Sequence, residues 1–284
     1  RQRQMCIRDR YKVSPFTPLF FNPSNDKFGI ESRYIQKFSS FDQILIEVIA
    51  VSEFNPIIGN IIDVMTGKKN VVEWKVWVMN STMTLYYYIL SGLNTGNYRF
   101  EINGVASDMF EVTDDERELS KTTLIQYSMK DNKQRKDGFF FIAEKQYFFD
   151  WRAPGGFQDM NWGFSVSNEQ FVTTDEDVVD LYSSESTQKA FTLGNAEGCP
   201  VWYAEMLNRI MSCTYVYFDS ERYVRKDSSV PEMNQVNEGL NSYVFSLSVQ
   251  PVLNIDKGES DNQLIIRRVD RDRYRSVNNK LLIL

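Results

Sequence analysis

The sequence predicts a mainly β chain built as two β-rich domains. Three observations carry this. Apolar and polar residues alternate in short runs separated by Gly, Asn and Pro signals, the pattern of half-buried strands. Phe, Tyr and Trp make up 14% of the 284 residues, and Phe and Tyr favour strands. A charged stretch, Thr113-Asp114-Asp115-Glu116-Arg117-Glu118, separates two complete series of such runs and reads as an exposed junction. At roughly 100–200 residues per domain, the length suits two domains.

Residues 1–10 have no periodicity and carry four Arg against one Asp. They resemble translated adapter sequence and read as an artefact or a disordered basic arm, outside the fold. No apolar stretch with a cleavage site follows this charged start, so no secretory signal is expected. Residues 11–40 are rich in Phe, Pro, Ser and Asn. Pro15, Pro18 and Pro23 argue against a helix or a central strand there, which leaves an extended lead-in.

Residues 41–113 read as one β-sandwich. Residues 44–51 are a strong β run, and residues 60–64 lead into the turn signal Thr66-Gly67-Lys68. Val72, Trp74, Val76 and Val78 alternate on one expected face, and residues 84–90 form a Tyr-dense strand. Gly96 then permits a tight turn, and Tyr98, Phe100 and Ile102 alternate as an inward face. The spacing of Leu93, Gly96 and Tyr98 resembles the corner of immunoglobulin-like and fibronectin-like sandwiches. It implies that fold and says nothing of function. Residues 109–112 close the series.

Residues 120–255 read as a second β-rich domain, a sandwich or a barrel with one α-helix. Residues 122–128 alternate as its first strand. Residues 139–142 and 147–152 form an expected hairpin around Ala143-Glu144-Lys145-Gln146, and Ala153-Pro154-Gly155-Gly156 is expected to stop its second strand. Residues 170–174 and 187–193 are further strands. Residues 215–218 and 222–225 flank Asp219-Ser220-Glu221 as another hairpin, and 243–250 alternate as a half-buried strand. The helix is expected over Pro200–Met211, about 200–211. Pro200 suits a first turn, and Val201, Met206, Leu207, Ile210 and Met211 form an apolar stripe opposite Glu205, Asn208 and Arg209. Residues 256–284 read as a polar C-terminal tail.

Histidine is absent, which removes Ser-His-Asp triads, Cys-His dyads and histidine-ligated metals. Net charge is −6 and the pI about 5.0, so no basic field recruits nucleic acid. No apolar run reaches the roughly 18 residues of a membrane span. Cys6 lies in the foreign segment. Cys199 and Cys213 flank the expected helix, and at about 1.5 Å per residue their Cα atoms lie on the order of 20 Å apart, too far for a disulfide. Both are expected as free structural thiols.

No constellation stands out as catalytic, cofactor-binding or metal-binding. Residues 113–118 and 173–177 are acidic clusters without the spacing of a calcium loop. Asp150 with Glu169 or Asp180 would serve a glycosidase only if held roughly 5–10 Å apart across a cleft. Gly67-Lys68-Lys69 lacks the upstream glycine of a phosphate loop. Asn80-Ser81-Thr82 is a formal glycosylation sequon. Trp74, Trp77, Tyr86, Tyr87 and Tyr88 are either a sugar-stacking platform or, in larger part, core. Residues 130–136, with four Lys or Arg, suggest a solvated loop or a contact with an acidic partner.

Several stretches look like a group of virion structural proteins of tailed phages and prophages of gut bacteria. They are Phe149-Asp150-Trp151-Arg152-Ala153-Pro154-Gly155-Gly156-Phe157, Asn168-Glu169-Gln170-Phe171, Ser186-Thr187-Gln188-Lys189, Gly198-Cys199-Pro200-Val201-Trp202 and Arg222-Tyr223-Val224-Arg225-Lys226-Asp227-Ser228. The likeness covers residues 120–255 and, faintly, Ile266-Arg267-Arg268-Val269-Asp270. It implies a non-enzymatic tail or baseplate subunit that acts by self-assembly, with no cofactor and with copies of itself and other virion proteins as partners. It also implies synthesis in the bacterial host cytoplasm and residence in the virion. A carbohydrate-binding or adhesion sandwich, with a cell-surface glycan as partner, is the alternative.

Overall fold

The computed structural model describes residues 11–21, 34–51, 57–157, 162–172, 178–194, 198–226, 232–237, 242–252, 267–270, 273–275 and 281–282. Residues 1–10 and the acidic cluster 173–177 lie outside the described residues.

Among the described residues, the first unit has ten strands. They are β1 (Tyr11–Val13), β2 (Gln36–Phe38), β3 (Ile44–Val51), β4 (Gly59–Asp63), β5 (Lys69–Val71), β6 (Lys75–Val78), β7 (Met83–Leu90), β8 (Gly96–Ile102), β9 (Val105–Ala106) and β10 (Phe110–Val112). They form two sheets, in the orders β1-β3-β7-β6 and β2-β10-β8-β4-β5, with β9 on β8. Every pairing is antiparallel except β2 with β10. Taken along the chain, this is the immunoglobulin-type distribution of strands between two facing sheets. Ile44, Ile46 and Val48 from one sheet meet Phe38, Phe100 and Phe110 from the other in a common core. The corner read from Leu93, Gly96 and Tyr98 closes as that fold requires, with the Tyr98 hydroxyl donating to the Asn94 carbonyl at 3.1 Å.

Two readings of this half are corrected. The segment 11–40 is more than a lead-in, because β1 pairs with β3 and β2 with β10. Pro15 and Pro18 fall in the turns after β1, where no ladder donor is lost. Residues 72–78 are not one strand. The chain leaves the second sheet after β5 and joins the first at β6. Val72 therefore points into the core while Val76 and Val78 are exposed.

The second unit begins with a one-turn helix, α1 (Glu116–Leu119), followed by β11 (Thr122–Ser128), the small hairpin β12 (Phe141–Ile142) and β13 (Lys145–Gln146), and β14 (Phe149–Phe157). Next come β15 (Gly163–Val172), β16 (Val178–Leu193), α2 (Val201–Ile210), β17 (Tyr215–Phe218), β18 (Glu221–Arg225), β19 (Glu232–Asn237) and β20 (Ser242–Pro251). Six strands pair in a ring, β11-β17-β18-β20-β16-β14 and back to β11, so this unit is a closed barrel. Directly opposed residues share a face. Ile125 lies opposite Trp151 and Phe218, and Phe191 opposite Phe157 and Leu247; all but the half-buried Phe157 are sealed in the interior. β15 and β19 lie outside the ring, on β16 and β20.

The expected hairpin around 143–146 is tighter than its reading. Ala143 and Glu144 alone make the turn, both at positive φ, and β14 then joins a different sheet. The expected stop at 153–156 is also corrected, because β14 runs through it to Phe157. Pro154 needs no ladder donor there, and its carbonyl accepts the Gly194 N–H at 2.7 Å.

Among the described residues, α2 is the only helix longer than one turn. Met206, Leu207, Ile210 and Met211 are buried as its stripe required, but Val201 is exposed and Tyr203 and Ala204 take the inward positions of the first turn. Within the tail, β21 (Arg267–Asp270), β22 (Arg273–Arg275) and β23 (Leu281–Leu282) form a separate three-stranded sheet.

The two units share one core. Leu45, Ile49, Leu85 and Tyr87, on the outer face of the sandwich's first sheet, belong to the barrel's hydrophobic cluster together with Phe16. This explains why β3 reads as an apolar run interrupted only by Glu47: it is covered on both faces.

Candidate assembly surface

β15 pairs with β16 from Gly163 opposite Gln188 to Val172 opposite Val178, with a register shift between Glu169 and Gln170. Only Lys189 to Leu193 of β16 pair with β20 in the ring. The rest of the pair leaves the barrel as a two-stranded ribbon. Period-two alternation gives the ribbon two unlike faces. Ser165 and Ser186 meet on one, their hydroxyl oxygens 2.7 Å apart. Phe164 and Val166 stand on the other, 75% and 62% exposed. Phe171 is exposed farther along. Glu169 and Glu185 are exposed as well, and no Lys or Arg occurs from Ala153 to Gln188. The outer edge of β15 has no neighbouring strand among the described residues. An exposed edge with an apolar face is a template for pairing with another chain.

The base of the ribbon is fixed by Lys189. Its Nζ lies 3.1 Å from the Tyr223 hydroxyl and 3.8 Å from Glu221 Oε2. It also sits 4.6 Å from the Trp162 ring centroid and 5.8 Å from that of Phe157. An ammonium held over aromatic faces in this way is attracted by their quadrupoles. Burial, and then hydrogen bonding to Glu221, push the Tyr223 phenol above its ordinary range.

A second exposed apolar surface lies on the sandwich. β5 and β6 are the edge strands of their two sheets and are consecutive in the chain. Val71, Val76 and Val78 are exposed there, with Lys68, Lys69 and Lys75 around them, Glu73 exposed between β5 and β6, and Asp63 near Lys68. Lys69 is paired with Glu101 at 3.0 Å.

The residues singled out in the sequence are dispersed. Asp150 is enclosed in the seam between the units, accepting from Gln126 Nε2 and the Gln43 N–H, each at 2.9 Å. Burial, and then the nearby Asp42, push its carboxyl up to about 6. Glu169 is exposed on the ribbon, so the two form no acid–base pair across a cleft; the Asp180 side chain lies outside the described residues. Tyr86 and Tyr87 are buried, Trp74 packs against Phe100, and Trp77 packs against Phe139. These rings are packing residues and make no platform. Arg135 of the basic loop is committed to Asp137 and lies 4.7 Å over the Phe16 ring. Asp114 of the junction accepts from the Ser40 hydroxyl at 2.8 Å, and Asp115 caps α1. Glu118 lies between Lys121 and Lys37, which hold its carboxyl down to about 2. Asn80 closes an exposed turn by accepting from the Thr82 and Met83 N–H groups. Cys199 and Cys213 are free, and burial pushes both thiols up to about 12. Among the described residues, no group of three or more Cys, Asp or Glu is placed to hold a metal ion. No helix among them is long and apolar enough to cross a membrane.

Sequence reasoning missed two features. The ribbon was read only in part, as residues 170–174 and 187–193. The alternation Phe164-Ser165-Val166-Ser167 was the available signal. Glu47 was passed over inside an apolar run, yet its side chain is fully enclosed between the units. Oε2 accepts the Phe139 N–H at 3.2 Å, while Oε1 has no partner. Burial pushes this carboxyl up to about 8. No protein family, curated protein or solved structure matches the chain.

Proposed function

We propose that the chain is a non-enzymatic structural subunit of a tailed-phage virion, of tail or baseplate type, that acts by assembling with copies of itself. The virion assignment rests on the sequence resemblance over residues 120–255. The mode of action rests on one observation, the ribbon. The outer edge of β15, without a neighbouring strand among the described residues, and the exposed Phe164 and Val166 offer main-chain and apolar contacts to a neighbour.

Sedimentation velocity of the full chain from about 1 to 100 μM tests this reading, a range chosen for affinities near −8 kcal/mol. Concentration-dependent growth beyond the 33.2 kDa monomer is expected, and F164D/V166D should suppress it. A strict monomer across that range counts against assembly by this chain alone.

A further inference from the structure

We propose that the ribbon of one copy docks on the β5–β6 edge of the next copy. This joins subunits head to tail through two different surfaces. The inference rests on the self-assembly reading above and names its partner surface.

The two surfaces are complementary in three respects. Their backbones match, since among the described residues β15 and β6 are each the end strand of their sheet. One edge strand can extend another by ladder hydrogen bonds. Their side chains also match. Phe164 and Val166 on the ribbon meet exposed Val76 and Val78 on the sandwich edge. Their charges favour contact: Glu169 and Glu185 stand on a ribbon without Lys or Arg, while the edge presents exposed Lys75 and Lys68, the latter near Asp63. Such complementarity steers encounter and fixes register. A ribbon pairing with a second ribbon would instead bring like charges together.

The placement within one subunit is also right for propagation. Trp77 of β6 packs on Phe139, whose neighbour Phe140 packs on Phe149 at the start of β14, whereas the ribbon is rooted at Phe157, the other end of that strand. At about 3.3 Å per residue the two ends lie some 26 Å apart along β14. Unlike surfaces at separate ends make a heterologous contact, which closes into a ring or extends as a filament.

Charge reversal tests the pairing, read by sedimentation velocity on full chains with circular dichroism as a check on folding. E169K/E185K and K68E/K75E each change only exposed side chains. Each pair should weaken assembly by about tenfold or more, as surface charge reversal at a complementary interface does. All four substitutions in one chain restore opposite charges across the contact and should recover assembly. Normal assembly by K68E/K75E, or failure of the fourfold variant to recover, overturns the proposal. If the unmodified chain stays monomeric, the underlying self-assembly reading fails instead.

Discussion

Arg152 of β14 and Asp42 of the loop between β2 and β3 join the barrel to the sandwich by a two-point ion pair. Nε lies 2.5 Å from Oδ2 and Nη2 3.1 Å from Oδ1. Asp42 also accepts the Ser39 N–H at 2.7 Å, which ties the pair to the loop that positions it. The Arg152 side chain is 14% exposed and that of Asp42 4%, so water screens the contact little. Removing one member leaves the other enclosed without its counter-charge. Arg152→Ala should therefore cost about 3 kcal/mol in urea unfolding, at the lower end for a broken buried pair. The loss should be shared with Asp42→Ala, so the double variant is expected to be less destabilised than the two single changes added together.

Glu47 makes stability fall as pH rises. Its folded carboxyl titrates at about 8 against an ordinary 4.5, so the folded state holds a proton that the unfolded state has released. The benefit is full below about 4.5 and is lost as pH rises toward 8, by about 1.4 kcal/mol per pH unit within that window. Asp150 and Asp108, both raised to about 6 by burial, act in the same direction at the lower end. The interval from 6 to 8 is the one in which Glu47 acts alone among these three. Glu47→Gln keeps an acceptor for Phe139 and cannot ionise. It should flatten the unfolding midpoint between pH 6 and 8, and an unchanged slope would exclude Glu47 as its source.

Leu207 checks the packing of α2. It is 1% exposed, with Met206 and Ile210 equally enclosed, and the Tyr203 ring lies 5.8 Å from Trp151 of the barrel. Leu207→Ala should cost about 2–5 kcal/mol, combining lost transfer energy with a residual cavity. Val201→Ala at the exposed end should change stability by no more than about 0.5 kcal/mol. Chemical denaturation of the two variants side by side separates these expectations.

Elements whose periodicity answered to one environment were legible in the sequence. β3, β7, β17 and β20 were placed to within a residue or two, as was the buried stripe of α2. Failures fell where the environment changed along a regular pattern. Val72 to Val78 keeps its alternation while the chain changes sheets, so the same parity points first to core and then to solvent. The first strands were hidden because the prolines lie between them, not within them. Glu47 was invisible because a carboxyl in an apolar run can be read as an outward residue, and only the second layer over β3 encloses it. The ribbon's exposed Phe164 and Val166 fell outside the expected strands, and a hydrophobic pattern does not say whether its cover belongs to the same chain.

The run Ala153-Pro154-Gly155-Gly156 gives the sharpest prediction, because its glycines have a purpose other than ending a strand. Gly155 sits at φ 126°, opposite Leu193 where β14 meets β16. A Cβ there would stand 2.0 Å from the Thr192 carbonyl oxygen, a backbone atom that cannot move without parting the two strands. Its neighbour Gly156 has space, with the nearest atom, Thr123 Oγ1, 3.6 Å away. The close approach lets β14 and β16 pair and so completes the ring. Gly155→Ala should therefore cost more than about 3 kcal/mol through strain and clash together, whereas Gly156→Ala should stay within about 1 kcal/mol. Thermal unfolding of both variants, monitored at Trp151, is the measurement. Equal effects at the two positions would mean that the strands do not approach closely at Gly155.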